Sequence, residues 1–248
     1  MVKFVAKGKI KAGSFDQLDA ILNGDISNTG PGGFNAESGK YEVKVGGTGF
    51  TYLAGFPLTG TIEQVKVYFK NELLYKINGM SLTMTQAQTF KSIDDALKDI
   101  FKGDDVLKGS KENDYLRGFD GDDTIKGRAG KDKLQGDKGE DTLNGGKHKD
   151  TYLFKDGPGN GMDTITNLQS GEKMKFDHDM YAGIGSKGHL DASLYVEDGN
   201  FTNGLQRFSY DTSTKILSYD SDGNGAGAAQ AVAYIAKGDF DEGHLFVT

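Results

Sequence analysis

The chain has 248 residues, of which 36% are hydrophobic and 37 are glycine. That length suits one large domain or two small ones, and three prolines without a three-residue glycine period exclude collagen. A formal net charge of −7 argues against nucleic acid and for cations, and the lack of cysteine removes disulfide scaffolds and thiolate zinc sites.

No stretch approaches the roughly 18 apolar residues of a membrane span. The opening MVKFVAKGKIKAGSF is basic but lacks an apolar run of signal-peptide length. Taken alone, this reads as cytoplasmic.

In chain order, Ser14-Phe15-Asp16-Gln17 has the form of a capping box opening a short helix to Leu22, with Gly24 as its stop. Gly24 to Lys40 reads as a glycine-, asparagine- and serine-rich loop. Tyr41, Val43 and Val45 alternate with Glu42 and Lys44, the pattern of a half-buried strand, continued by Phe50 and Tyr52 after a glycine turn. Ile62, Val65, Val67 and Phe69 predict a second strand with a local break, and Leu73 to Ile77 a third, ended by Asn78-Gly79. Ala87, Phe90, Ile93, Leu97 and Ile100 then share one face of a longer helix.

Beyond this helix a nine-residue period begins. Aspartate stands at 105, 114, 123, 132, 141 and 150. Two residues after each comes Leu107, Leu116, Ile125, Leu134, Leu143 or Tyr152. Glycine precedes the last five aspartates by five residues, at 109, 118, 127, 136 and 145, and a second set, at 103, 121, 130 and 139, precedes the aspartates at 105, 123, 132 and 141 by two. Glu112 and His148 interrupt that second set. Glycine permits positive φ and lets carbonyls converge; aspartate supplies a hard oxygen suited to calcium; the apolar residue turns inward. One apolar side chain per nine residues buries too little surface to offset the ordering of the backbone, and bare aspartates repel one another. Such a segment is expected to fold only with its ion, metal binding being its folding energy.

This pattern resembles the repeats-in-toxin (RTX) calcium-binding nonapeptide. The resemblance implies a flattened solenoid, two units per coil, with Ca2+ between turns 18 residues apart. It pairs Asp105 with Asp123, Asp114 with Asp132, Asp123 with Asp141 and Asp132 with Asp150, giving about four ions. Gly118, Asp120, Gly121, Gly127, Ala129, Gly130, Gly136, Lys138, Gly139, Gly145 and Lys147 complete the implied metal-site set. The positions around Asp123 and Asp132 should be best formed. Phe119 and Arg128 depart from the pattern by occupying the family's second glycine slot, and the first turn, Ile100 to Asp105, has only Gly103.

After the repeats, Tyr152 to Phe154 resembles the family's exit from the roll. Asp163-Thr-Ile-Thr and Met174-Lys-Phe-Asp read as further short strands, with Asp163 either an ion ligand or a turn cap. Phe208 to Tyr210 and Ile216 to Tyr219 predict a hairpin around DTSTK. Asp220-Ser-Asp222-Gly-Asn224-Gly225 opens like a helix–loop–helix calcium loop, but position twelve is Ala231 and no helix precedes it. It reads as a polar turn or a weaker calcium site. The segment DFDEGHLFVT resembles the C-terminal signal of type I (ABC-exporter) secretion, which supplies an export route without a leader peptide.

The resemblance does not name an activity. There is no H-E-x-x-H for an RTX metalloprotease, no G-x-S-x-G for an RTX lipase, and no long apolar domain for a pore-former. The four histidines all lie beyond residue 101, leaving a heme-binding reading only Tyr41, Tyr52, Tyr68 and Tyr75. Glu42, Glu63 and Glu72 read as outward strand residues, or as the carboxylates of a glycosidase or lyase. The strand aromatics read as core or as a sugar-stacking surface. The first half also resembles, loosely, N-terminal segments of small RTX proteins.

The expected fold is all-β dominated. A β-rich N-terminal domain with one or two short helices (1–101) leads into a parallel β-roll (102–168), then a β-rich C-terminal cap and secretion signal (169–248). The expected function is an extracellular, non-enzymatic calcium-binding protein recognising polysaccharide through residues 1–101, with partners limited to calcium, the type I exporter and polysaccharide, and with no nucleic acid and no membrane span. The alternative is a small secreted carbohydrate-active enzyme.

Overall fold

The computed structural model describes residues 3–6, 25–30, 33–38, 41–53, 56–69, 72–83, 93–199, 201–223 and 227–248. Six strands come first: β1 (Lys3–Ala6), β2 (Asp25–Gly30), β3 (Gly33–Ser38), β4 (Tyr41–Leu53), β5 (Phe56–Phe69) and β6 (Glu72–Thr83). β2 to β6 form an antiparallel meander, and β1 closes it by pairing antiparallel with β6. The expected loop from Gly24 to Lys40 thus holds the hairpin β2–β3. Its composition suggests a loop, but β3 pairs with the neighbouring β4 from Gly33↔Gly46 to Ser38↔Tyr41, a cross-strand partnership that local propensity does not encode. Gly46-Gly47 is likewise a register shift inside β4 rather than a turn between strands, and β6 runs through Asn78-Gly79 to Thr83. Val45, Ile62 and Val65 are buried as the alternation requires. The expected helix at 14–22 and the start of the longer helix lie outside the described residues.

The described helix, α1 (Ile93–Ile100), buries Leu97 and is followed by buried Phe101. Next come β7 (Val106–Lys108), β8 (Tyr115–Asp120), β9 (Thr124–Ala129), β10 (Lys133–Lys138), β11 (Thr142–Lys147), β12 (Thr151–Phe154), β13 (Asp163–Ile165) and β14 (Lys173–Phe176). The chain winds between two sheets, so β7, β9, β11 and β13 stack in parallel on one side and β8, β10, β12 and β14 on the other. The pairs Val106↔Thr124, Thr124↔Thr142, Tyr115↔Lys133 and Lys133↔Thr151 each span 18 residues, so one coil is two nonapeptides. Leu107, Leu116, Ile125, Leu134, Leu143 and Tyr152 all point inward and are buried, followed by Ile165 and Met174. This is a parallel β-roll.

The roll does not stop where the nine-residue period does. Thr142↔Thr164 and Thr151↔Lys173 lengthen the coil to 22 residues while the stacking continues. The remaining strands are β15 (Gly188–His189), β16 (Tyr195–Glu197), β17 (Phe208–Asp211), β18 (Ile216–Tyr219), β19 (Gln230–Ile235) and β20 (Leu245–Val247). β17 and β18 are the expected hairpin. β19 and β20 return to pair in parallel with β13 and β14, adding a rung to each sheet. At the opposite end β1 pairs in parallel with β7, so the meander and the roll share one sheet. Among the described residues no helix is long and apolar enough to cross a membrane.

Candidate metal centre

Each coil makes two sharp turns, one along each long edge of the roll, and every turn ends at a periodic aspartate just before its strand. Asp105, Asp114, Asp123, Asp132, Asp141 and Asp150 are all buried. They form two ladders. On one edge the backbone N–H of Asp105 donates to Asp123 Oδ1 at 2.7 Å, and that of Asp123 to Asp141 Oδ1 at 2.8 Å. On the other, Asp114 N–H donates to Asp132 Oδ1 at 2.7 Å and Asp132 N–H to Asp150 Oδ1 at 2.8 Å. The aspartate carbonyls are also taken, for example by Thr142 N–H on Asp123 at 2.7 Å and Thr151 N–H on Asp132 at 2.8 Å.

One oxygen of each inner carboxylate is left over. Among the described residues no donor reaches Oδ2 of Asp123, Asp132, Asp141 or Asp150. A buried carboxylate oxygen without a partner is costly, and two such oxygens along each edge suit a column of cations. Burial, first of all, pushes these carboxyls far above their ordinary range: Asp123 and Asp150 to about 8, Asp132 and Asp141 to about 7. Neighbouring carboxylates push the same way, and the backbone donors oppose. Asp114 differs, because Ser110 N–H donates to its Oδ2.

The glycines explain the rest of the period. A Cβ on Gly118 would strike Asp123 Oδ2 and stand 2.8 Å from the Gly136 carbonyl oxygen one coil on. A Cβ on Gly127 would meet Asp132 Oδ2 and lie 2.5 Å from the Gly145 carbonyl oxygen; Gly136 and Gly145 stand in the same way against Asp141 and Asp150. Carboxylate and carbonyl oxygens therefore converge where the glycines leave room, a donor set of hard oxygens that fits calcium. The second glycine set has another reason. Gly121, Gly130 and Gly139 have φ of 121°, 123° and 129° and pack against the backbone of the previous coil.

Asp120, Ala129, Lys138 and Lys147 end their strands, in register Asp120↔Lys138 and Ala129↔Lys147. The Asp120 and Lys138 side chains form an exposed pair at 3.5 Å, so the Asp120 carboxylate lies outside the buried column.

The departures have structural partners. Phe119, at φ 80°, stacks on Phe101 below α1 with centroids 6.2 Å apart, and the Arg117 guanidinium lies 4.2 Å from its ring. Arg128, at φ 83°, donates from Nη1 to the Gly109 carbonyl at 3.3 Å. His148, at φ 80°, accepts from Gly130 N–H at 3.3 Å.

Two further carboxylates occupy the aspartate position of the next coil. Asp163 Oδ1 accepts from Asp141 N–H at 3.2 Å, and Glu172 immediately precedes β14 as Asp150 precedes β12. Glu172 is missed by the nine-residue count because the coil has grown to 22 residues and the residue is not aspartate. Only strand register could have found it. Asp220 is different again: its Oδ1 accepts from Asp222 N–H at 3.0 Å and Gly223 N–H at 3.1 Å, the bonding of a polar turn. Asp177, His178 and Asp179 also bring ligand atoms within 4.8 Å of one another, but His178 and Asp179 are exposed. Of the first-half carboxylates, Glu63 is exposed and accepts from Thr48 Oγ1 at 2.9 Å. The side chains of Glu42 and Glu72 lie outside the described set.

The family model of the RTX calcium-binding nonapeptide repeat (four copies) matches residues 101–134 and 127–157. No curated protein matches the chain. Among solved structures, one subunit of the mannuronan C5-epimerase from Azotobacter vinelandii is similar, with 23% identity and a TM-score of 0.34 over 55% of this chain and 71% of that one.

Proposed function

We propose, from a chain whose repeat segment is of the RTX calcium-binding type, that it is an extracellular protein folded by the calcium it meets outside the cell, and that it binds rather than transforms its ligand. The observation that carries the calcium-driven folding is the set of Oδ2 atoms on Asp123, Asp132, Asp141 and Asp150 that no donor reaches among the described residues. Extracellular modules of this ligand type work at calcium levels near millimolar. At cytosolic levels the carboxylates would remain bare, and the chain would stay open.

A type I export route fits this reading. The segment that resembles an exporter signal contains, in the folded protein, the strand β20 (Leu245–Val247), hydrogen-bonded to β14 with Leu245 and Val247 buried. A transporter could read it only before folding, which is the low-calcium state.

Despite the net charge of −7, a local cationic strip supports an acidic polysaccharide as ligand, and it points to the roll rather than to residues 1–101, the part that the sequence suggests. The outward face of β10 and β14 carries Lys133, Lys173 and Lys175, and none has a carboxylate partner among the described residues. Partial burial, then Lys173 and Lys133, lower the proton affinity of Lys175. Lys173 sits 4.3 Å from the centre of the Phe246 ring, an aromatic surface beside a cationic one. The test is to pass calcium-loaded protein over acidic and neutral polysaccharides, following retention and polymer length together. Retention on acidic polymers at constant length is expected; shortened or chemically altered polymer would make the protein an enzyme.

A further inference from the structure

The last ordinary aspartate of its edge, Asp150, does not face an empty coil. Glu172 stands at the equivalent place one coil later, fully buried. Gln169 N–H donates to its Oε2 at 2.9 Å and Tyr152 Oη donates to the same oxygen at 3.3 Å, while Tyr152 Oη accepts from Gly145 N–H at 3.2 Å. The other oxygen, Glu172 Oε1, has no donor from a third residue among the described residues, and neither has Asp150 Oδ2, while the two carboxyls lie within hydrogen-bonding reach of each other. Two buried carboxylates thus meet across adjacent coils, each with a spare oxygen, and a protein interior holds such a pair only with a shared proton or a cation between.

We infer that Asp150 and Glu172 hold a divalent cation, calcium by the hardness of the ligands, one step beyond the nonapeptide repeats. The site rests on the calcium-dependent roll proposed above and extends it. Its second wall is the turn leading into β14, which pairs in parallel with β20. An ion there fastens the C-terminal strands to the repeats, so that the repeats and the segment after them order in one calcium-driven step. Tyr152 occupies a slot filled by Leu or Ile in the five preceding units, and its hydroxyl is what the site uses.

The experiment compares the full chain with Glu172→Gln and, as a reference for loss of a repeat site, Asp132→Asn. Equilibrium dialysis counts bound calcium, and proteolysis reports protection of residues after 172. Glu172→Gln is expected to bind one ion fewer and to need several-fold more calcium to protect the C-terminal segment. Unchanged stoichiometry and unchanged protection would overturn the inference. A parent chain that binds no calcium would instead overturn the proposed function, so the two failures are distinct. Should Glu172→Gln fail to fold at any calcium level, terbium luminescence decides. An ion at this site is excited by the adjacent Tyr152 ring, so Tyr152→Phe should remove a distinct, tightly titrating part of the emission. Emission identical in the parent chain and Tyr152→Phe would overturn the site.

Discussion

The backbone N–H of Asp123 donates to Asp141 Oδ1 at 2.8 Å, and Asp123's own Oδ2 is left with no donor. One carboxylate oxygen builds the stack and the other is held open for an ion. Scaffold and binding site are the same residues, so removing the ion should remove the fold.

Replacing Asp123 should therefore matter more than replacing Asp220, whose oxygen is already occupied by two backbone donors. Asp123→Ala should raise the calcium midpoint of folding roughly tenfold or more, equivalent to about 1.4 kcal/mol or more. Asp220→Ala should leave it within about twofold, a few tenths of a kcal/mol. Calcium titration followed by circular dichroism measures both, and equal midpoints would refute the ranking.

Glycine position should decide tolerance. Gly127→Ala puts a methyl against Asp132 Oδ2 and the Gly145 carbonyl and should destabilise the calcium-loaded roll by about 1–3 kcal/mol. Gly103→Ala meets nothing within 4 Å and should be near neutral. Urea unfolding at saturating calcium distinguishes them.

Protons and calcium should compete. Burial raises Asp123 and Asp150 to about 8 and Asp132 and Asp141 to about 7. A raised folded-state pKa stabilises the ion-free roll below the unfolded value, near 3.8, and that contribution is lost as pH climbs through about 7 to 8. The ion-free chain should therefore gain β-structure on acidification from pH 8 towards pH 4. The calcium midpoint should rise over the same descent, by roughly tenfold per pH unit for each proton displaced. Dichroism with and without chelator across this range reads both effects.

His148→Gly should stabilise the loaded roll. His148 holds φ at 80° in a place where its neighbours use glycine, and gains only the long bond from Gly130 N–H. Relief of the left-handed backbone is worth about 1–2 kcal/mol, more than a bond at 3.3 Å returns. An unchanged or lower urea midpoint at saturating calcium would contradict this.

On the proposed ligand face, Lys173→Glu should abolish retention on acidic polysaccharide without altering the calcium midpoint. Affinity chromatography beside the dichroism titration tests this, and unchanged retention would remove the face from consideration.

The roll was legible in the sequence because its repeat is short and each slot does one physical task. Aspartate 105 to 150 supplies oxygens, glycine five residues earlier makes room for them, and Leu107 through Tyr152 faces inward. These are local requirements, and a local period records them. The first half was less legible. The partners of β1 are distant in sequence, and the glycine-rich stretch from 24 to 40 shows only its composition, which outweighs the pairing that its neighbouring strand provides. Glu172 was hidden for a related reason. Its place is set by the stacking of β14 on β12 after the coil has lengthened, and only the three-dimensional register aligns it with Asp150. The amino-acid order alone thus determined that the chain carries a roll of calcium-binding repeats. The tertiary structure decided where the winding ends, because hydrogen-bonded stacking depends on strand position and tolerates a change of coil length that a linear period cannot follow.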